Sequence, residues 1–163
     1  MAHNSYQQND KPRITATFTQ SGNLVNPSGV FIQIKKPDNT FISYISSSGF
    51  STQGAWDASA NTPALVNGTG TVGNYYTVSV AGTVDFGDGP IAFTTSDLVY
   101  YNGDTWNKLV APESTSLTNS STGVFYIEIL ASQAGIWVFE VEGIGNGQSA
   151  AESNFHVSAP TVQ

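Results

Sequence analysis

The stretch ITATFT, residues 14–19, alternates apolar and polar side chains. In an extended chain its isoleucine, alanine and phenylalanine fall on one face, and its three threonines fall on the other. A period of two with β-branched residues is typical of a strand that is buried on one face only. The run VFIQI at residues 30–34 predicts a second strand, with Val30, Ile32 and Ile34 on one face and Phe31 and Gln33 on the other. The two stretches therefore predict β-strands that bury an apolar face.

Strand patterns recur along the rest of the chain, and no segment has a convincing helical period. Turn sequences separate the strands, such as KPDN at residues 36–39 and NGD at residues 102–104. The fold class that this indicates is all-β. Further strands are predicted at residues 41–45, 75–80, 97–101, 106–110, 124–130, 137–142 and 153–157.

The predicted strands fall into two outer groups and a middle group that has its own aromatic residues. Because insertions are tolerated where the ends of a loop lie close together, a sandwich interrupted by an insert explains this pattern better than one continuous sandwich. The predicted parts are a polar N-terminal arm (1–10), a discontinuous β-sandwich (11–46 plus 122–157), an inserted β module (47–110), a linker (111–121) and a C-terminal tail (158–163).

The composition excludes several function classes. The chain has no cysteine, which excludes a disulfide scaffold and thiolate chemistry. Five Lys and Arg residues stand against 12 Asp and Glu residues, and five cations cannot form a nucleic-acid stripe or a polybasic membrane patch. No apolar run is long enough for membrane insertion, and residues 1–10 lack the apolar core of a signal peptide.

A glycine-rich stretch, GTGTVG at residues 68–73, has the spacing of the dinucleotide-binding fingerprint. That fingerprint needs a helix after it, because the helix N-terminus holds the pyrophosphate. The sequence NYYTV follows here, which predicts a strand. We therefore interpret the stretch as a glycine-rich turn and expect no bound cofactor.

Acidic residues in the middle group raise the alternative of a calcium site. Asp85, Asp88 and Asp97 carry hard oxygen ligands, but their spacing matches no EF-hand. We interpret them as turn carboxylates and expect no metal. The only histidines, His3 and His156, are too far apart in sequence to suggest a zinc site.

A pair of carboxylates is the remaining catalytic candidate. Glu140 and Glu142 lie two residues apart on one predicted strand, hence on one face, as a glycosidase requires. Nothing else in the sequence builds a cleft around them, so a solvated strand face is the favoured interpretation. We expect the protein not to be an enzyme.

The aromatic residues give the best candidates for contact with a ligand or partner. Most of them are expected in the cores, Trp137 among them. Trp56, Tyr101 and Trp106 are the contact candidates, because an exposed aromatic face stacks on a sugar ring or packs on a protein neighbour. Whether these three are core or contact residues is left open by the sequence.

The two outer segments contain five short stretches that belong together as a pattern: ITATF at 14–18, IKKPDNT at 34–40, TGVFY at 122–126, AGIW at 134–137 and ESNFHV at 152–157. With these stretches the outer segments resemble the Ig-like β-sandwich proteins of tailed-phage structural gene clusters. The resemblance implies an Ig-like antiparallel β-sandwich.

The middle segment contains the stretches WDAS at 56–59, NTP at 61–63, GTGTVGNYYTVSVAGT at 68–83 and LVYYNGDTWNK at 98–108. With these stretches it resembles a small module that is repeated in phage tail-fibre and virion-surface proteins. One departure is SDLV at residues 96–99, which stands where the familiar form has a Gly-Asp step.

Both resemblances imply a component of a bacteriophage virion, assembled in the host cytoplasm. The first hypothesis is a capsid decoration protein, present in many copies or as a homo-oligomer, which binds the major capsid protein or other virion proteins and displays the insert. The alternative is a tail or tail-fibre component that serves host attachment by binding a surface glycan through Trp56, Tyr101 and Trp106.

Overall fold

The fold is all-β, as the sequence predicts. The computed structural model describes residues 5–145 and 149–159, and it contains no helix in these ranges. His3 therefore lies outside the described residues. Within the described ranges, no helix has the length and apolar character that a membrane span requires.

The outer segments form two sheets that face each other. In the larger sheet the strand order is β1-β16-β15-β5-β6, and only the β1–β16 pair is parallel. In the smaller sheet the order is β13-β14-β2, and both pairs are antiparallel. The bounds of these strands are β1 Ser5–Gln7, β2 Arg13–Thr17, β5 Gly29–Lys35, β6 Phe41–Ile45, β13 Thr118–Ser121, β14 Val124–Glu128, β15 Gly135–Ile144 and β16 Ser149–Ser158. A short hairpin of β3 (Thr19–Gln20) and β4 (Asn23–Leu24) follows β2.

The inner faces of the two sheets share one apolar core. The alternation of apolar and polar residues predicted from residue 14 onward is observed in β2, since Ile14 and Ala16 are buried and the threonines beside them are exposed. Trp137 is at the centre of this core and is fully buried, as predicted. It stacks on Phe155 at a ring-centroid distance of 5.8 Å, and its indole N–H donates to the carbonyl of Gln133 at 3.0 Å.

The middle segment forms a separate four-stranded sheet, with strand order β12-β11-β8-β7. The β7–β8 pair is parallel and is joined by a long loop, residues 58–73. A separate hairpin, β9 and β10, packs Phe93 against this sheet. The bounds are β7 Ser51–Asp57, β8 Asn74–Val80, β9 Gly82–Asp85, β10 Pro90–Phe93, β11 Leu98–Tyr101 and β12 Trp106–Leu109.

Strand β11 joins the inserted module to the sandwich, because both of its faces are buried. Val99 and Tyr101 point into the core of the module. Leu98 and Tyr100 point the other way and pack on the outer face of the larger sandwich sheet. Tyr100 meets Phe31 of β5 edge to face, with ring centroids 5.1 Å apart. The module therefore packs directly on the sandwich through an apolar interface.

The predicted N-terminal arm and the predicted linker need correction. In the predicted polar arm, residues 1–10, the segment Ser5–Gln7 is strand β1 and pairs with β16. In the predicted linker, residues 111–121, the segment Thr118–Ser121 is strand β13. Both segments lie at sheet edges, where polar side chains are tolerated because one side faces solvent, so their composition resembles that of a loop.

The first half of the predicted linker lies along the edge strand β6. The backbone N–H of Glu113 donates to the carbonyl of Ser43 at 2.8 Å, and that of Leu117 donates to the carbonyl of Ile45 at 3.1 Å. The Ser43 hydroxyl also donates to the carbonyl of Val110, the residue at which the insert ends. These bonds satisfy backbone groups of β6 that would otherwise be free. The predicted tail, 158–163, begins inside β16, and its residues 160–163 lie outside the described ranges.

Candidate functional site

The three aromatic residues predicted as contact candidates are buried in the core of the module. Trp56 is fully buried, and Tyr101 and Trp106 are only 4% and 5% exposed. A side chain stacks on a sugar only if one ring face is open to solvent, and these three have none. The prediction that they contact a ligand is therefore corrected, and the alternative of a core role is the one observed.

Trp56 holds the first part of the loop at residues 58–73. Its indole N–H donates to the side-chain carbonyl of Asn61 at 3.2 Å and to the backbone carbonyl of Pro63 at 3.1 Å. Its ring packs edge to face on Phe93 and stacks on Phe86 of the β9–β10 hairpin. A buried indole needs a partner for its N–H, and the loop supplies it.

Trp106 holds the second part of the same loop. Its indole N–H donates to the carbonyls of Val66 and Thr69, at 3.2 and 3.1 Å. Its backbone N–H donates to the side-chain carbonyl of Asn67 at 2.8 Å. The long loop thus has a fixed path between two tryptophans.

The glycine-rich stretch at residues 68–73 is a turn that leads into β8, as predicted. Its glycines are explained by close packing. A Cβ on Gly70 would lie 2.7 Å from the Tyr101 ring. A Cβ on Gly73 would lie 1.9 Å from the carbonyl oxygen of Gly49, and Gly73 also has a positive φ of 83°. These contacts leave no room for side chains, which is a structural reason for glycine at both positions.

An open cleft of about 390 Å³ lies on the module beside the ordered loop. Trp106 and Tyr76 are its aromatic lining residues, and their ring centroids are 5.9 Å apart. Tyr76 is half-buried and so keeps part of its ring accessible. Among the described residues, those that line the cleft are all uncharged. The other lining residues are Ala64, Leu65, Val66, Thr69, Gly70, Thr71 and Asn74.

The lining of this cleft suits an uncharged ligand. Thr69 and Thr71 carry hydroxyl groups, and Asn74 carries an amide, so the cleft offers both hydrogen-bond donors and acceptors. Tyr76 offers an apolar ring beside them. A single aromatic surface with a few polar groups is the usual composition of a small-molecule site. Sequence reasoning selected the buried tryptophans and missed Tyr76. The strand pattern does not tell which tyrosine of the Tyr75-Tyr76 pair borders a cleft.

Two of the three aspartates considered for calcium, Asp85 and Asp97, have structural partners, whereas Asp88 is exposed in the turn between β9 and β10. Asp97 is 3% exposed and lies 3.0 Å from the ammonium of Lys108. Burial alone would raise the pKa of Asp97, but hydrogen bonds from Thr94 and the Lys108 ammonium outweigh it, so the pKa is lowered. Asp85 caps the β9–β10 hairpin by accepting bonds from the N–H groups of Gly87 and Gly89. Within the described ranges, no three His, Cys, Asp or Glu side chains are grouped to hold a metal ion.

The two carboxylates of β15 lie on one face of the strand but in different surroundings. Glu140 is exposed and pairs across strands with Glu152 of β16. Glu142 is half-buried at the interface with the module, where the hydroxyl of Tyr100 lies 3.5 Å from its Oε2. Burial, followed by the charge of Glu140, raises the pKa of Glu142. Burial, followed by the charge of Glu142, likewise raises the pKa of Tyr100. Glu142 therefore borders the interface with the module.

The comparisons with known proteins identify no relative. No protein-family model matches the chain, and neither a curated protein nor a solved structure matches it.

The core role of Trp106 can be tested with Trp106→Phe. This change keeps an aromatic ring but removes the N–H that bonds Val66 and Thr69, and it leaves a small void. We expect a loss of about 2 kcal/mol in the free energy of unfolding, measured by urea denaturation. Tyr101→Phe is the matched control, because it removes a polar group from the same core and keeps the six-membered ring. A larger loss in the free energy of unfolding for Tyr101→Phe than for Trp106→Phe would contradict the core role of Trp106.

The surroundings of Glu142 predict a pH dependence of stability. A carboxyl whose pKa is raised on folding binds its proton more tightly in the folded state, so its contribution to stability grows as the pH falls. Glu142→Gln removes the penalty of holding a charge at the interface. We expect the variant to have a higher Tm than the unaltered protein at pH 7, and the difference to shrink as the pH falls toward 4.5, the ordinary pKa of the group. A difference that stays constant between pH 7 and pH 4 would show that the charge of Glu142 is not responsible.

Proposed function

We propose that the chain is a structural protein of a tailed-phage virion, and that it serves as a capsid decoration protein. In this proposal the sandwich is an Ig-like domain that binds the capsid shell, and the inserted module is displayed outward. The partners are the major capsid protein and neighbouring virion proteins, and the chain is present in many copies. The protein acts by binding, not by catalysis.

The observation that carries the proposal is the way the module is attached. Its strand β11 is buried on both faces, and it packs Leu98 and Tyr100 on the outer face of the sandwich. A flexible linker would let the module move freely, whereas this apolar interface fixes its orientation. A fixed projection from a platform is what a display protein on a particle surface requires.

The strand order supports the Ig-like part of the proposal. An Ig-type sandwich has two antiparallel sheets joined by Greek-key connections. Strands A, B, E and D form one sheet, and strands C, F and G form the other. Here the three-stranded sheet β13-β14-β2 faces the five-stranded sheet β1-β16-β15-β5-β6. The chain crosses between them after β1, after β2, through the insert after β6, and after β14. The insert enters after β6, in the connection that leads to β13.

Three features resemble parts of cofactor, metal or catalytic sites, and their surroundings support a binding role for the protein. The glycine fingerprint is packed on Tyr101 and Gly49, and Asp97 is paired with Lys108. Glu142 contacts Tyr100 at the interface with the module. Each of these groups thus has a role in the fold, which is a simpler explanation of its presence than chemistry.

Copy number tests the first proposal. A decoration protein covers the shell, so we expect hundreds of copies of this chain per particle. The measurement is quantitative mass spectrometry of purified virions, with the major capsid protein as the internal standard. A ratio of a few copies, or of tens, per particle would reject the capsid location and favour a tail component.

A second candidate function has its own observation, which is the open cleft with Tyr76. In a tail or tail-fibre component, this cleft would bind a neutral glycan of the host surface. The partly accessible ring of Tyr76 would stack on a sugar face, and the polar groups of Asn74, Thr69 and Thr71 would bond its hydroxyls. The binding site then lies at different residues from those predicted from the sequence.

Tyr76→Ala tests the glycan hypothesis. We expect binding on a glycan array to fall about tenfold or more, because the stacking surface is lost. Tyr126→Ala is the matched control, since Tyr126 is also half-buried but lies on β14 of the sandwich. If no glycan is retained by the unaltered protein, or if both variants bind equally, the second candidate is rejected.

A further inference from the structure

Asn-Gly pairs occur in the sequence at residues 67–68, 102–103 and 146–147, and the first two lie in the described ranges. The side chain of an asparagine can react with the backbone nitrogen of the next residue, and a following glycine has no Cβ to hinder the approach. The fold decides which pair reacts, because the reacting atoms have to be held close together. The two described pairs have different surroundings.

The side chain of Asn102 lies over the turn between β11 and β12. Its carbonyl oxygen Oδ1 accepts the backbone N–H groups of Asp104 and Thr105, each at 2.9 Å. The bond from Asp104, two residues on, closes an Asx turn. The small ring of this turn contains both Cγ of Asn102 and the backbone nitrogen of Gly103. The two atoms that would join are therefore kept near each other.

The same two N–H groups lie where negative charge develops in such a reaction. When the nitrogen of Gly103 attacks Cγ of Asn102, the oxygen Oδ1 becomes an oxyanion. Two donors are already bonded to this oxygen, and they stabilise the charge that forms on it. Gly103 and Asp104 are exposed, so water reaches the turn. The turn thus supplies positioning, charge stabilisation and access for water.

The Asn67-Gly68 pair is held in a different way. The backbone N–H of Gly68 donates to the carbonyl of Asp104 at 2.7 Å. Because this proton has to leave before the nitrogen can attack, the hydrogen bond opposes the reaction. The Oδ1 atom of Asn67 accepts the backbone N–H of Trp106 at 2.8 Å, which ties the side chain to β12 and away from its own backbone. The fold therefore disfavours reaction at Asn67.

We propose that Asn102 is a site of spontaneous deamidation in the folded protein. The backbone nitrogen of Gly103 attacks Cγ of Asn102, and a C–N bond forms while the Cγ–Nδ2 bond breaks. The proton of the attacking nitrogen passes through solvent to Nδ2, which leaves as ammonia. Water then opens the resulting succinimide. Opening at Cγ gives aspartate, whereas opening at the original peptide carbonyl gives isoaspartate, in which the chain runs through Cβ and Cγ.

The two products have different consequences for the module. Isoaspartate lengthens the backbone of the turn by one methylene group, so it displaces Asp104, whose carbonyl accepts the N–H of Gly68. Aspartate keeps the normal backbone, and its carboxylate can still accept the N–H groups of Asp104 and Thr105. Formation of isoaspartate therefore releases the loop at residues 58–73, which lines the cleft beside Tyr76, from its bond to the turn.

The experiment follows deamidation of the purified protein by peptide mapping with mass spectrometry, in native buffer and in denaturant. In native buffer we expect Asn102 to react about tenfold or more faster than Asn67, because only its turn aligns the reacting groups. In denaturant the two residues should react at nearly equal rates, since both lose their contacts. The native rate at Asn102 should also rise with pH, because the attacking nitrogen has to lose a proton.

Hydrogen exchange measures the structural consequence at the amide of Gly68. This amide should exchange faster in protein that has been incubated until isoaspartate forms. Freshly prepared Asn102→Asp should keep it protected, because this variant adds the same charge on a normal backbone. Asn102→Gln is the matched control for incubation, since its longer side chain places the carbonyl carbon out of position, and it should keep the amide of Gly68 protected throughout.

Equal rates at Asn102 and Asn67 in native buffer would overturn the proposal. So would an Asn102 that reacts in denaturant but stays unchanged in the folded protein. Loss of protection at Gly68 in incubated Asn102→Gln would show that damage elsewhere releases the loop, and would overturn the proposed consequence. None of these results depends on the virion role proposed above, because each measurement needs only the purified chain.

Discussion

The burial of β11 on both faces is the constraint on which the architecture depends. A strand in an antiparallel sheet normally keeps one face polar, but Leu98, Val99, Tyr100 and Tyr101 are all buried. Two of these side chains complete the core of the module, and two complete the interface with the sandwich. The sequence LVYY therefore has to satisfy two cores at once, and a polar residue at any of its positions would leave one of them open.

The remaining features of the module follow from the need to close its core with few residues. A four-stranded sheet has two faces, and the sandwich covers only one of them. The hairpin β9–β10 and the loop at residues 58–73 cover the other, and the two tryptophans fix the loop by hydrogen bonds from their indole nitrogens. The cleft beside Tyr76 exists because the loop covers this sheet incompletely.

Most of the strands could be predicted from the sequence, because their apolar residues alternate or cluster between clear turns. Strand β6 was predicted at Phe41–Ile45, and Trp137 was assigned to a core; both are observed. Strands β1, β7 and β13 were missed, since nearly all of their side chains are exposed and polar composition indicates loops. The short hairpin strands β3, β4, β9 and β10 were also missed, because they adjoin turn sequences and most of their side chains are exposed or half-buried. The contact residues could not be predicted for a related reason. The local pattern around Trp56 and Trp106 is the same for a ring that faces solvent and for one that a distant loop covers.

The place where the insert joins the sandwich has an evolutionary consequence. The insert begins after β6, and its end at Val110 is bonded to Ser43 of the same strand, so both junctions lie at one edge of one sheet. Neighbouring junctions allow recombination to exchange the whole module without disturbing the sandwich. The apolar surface of Phe31 and Ile144 limits that exchange, since any replacement must bring its own strand with apolar side chains on the sandwich-facing side. Homologous chains that differ in this module should therefore vary freely in their loops and hairpins, but keep large apolar residues at the positions of Leu98 and Tyr100.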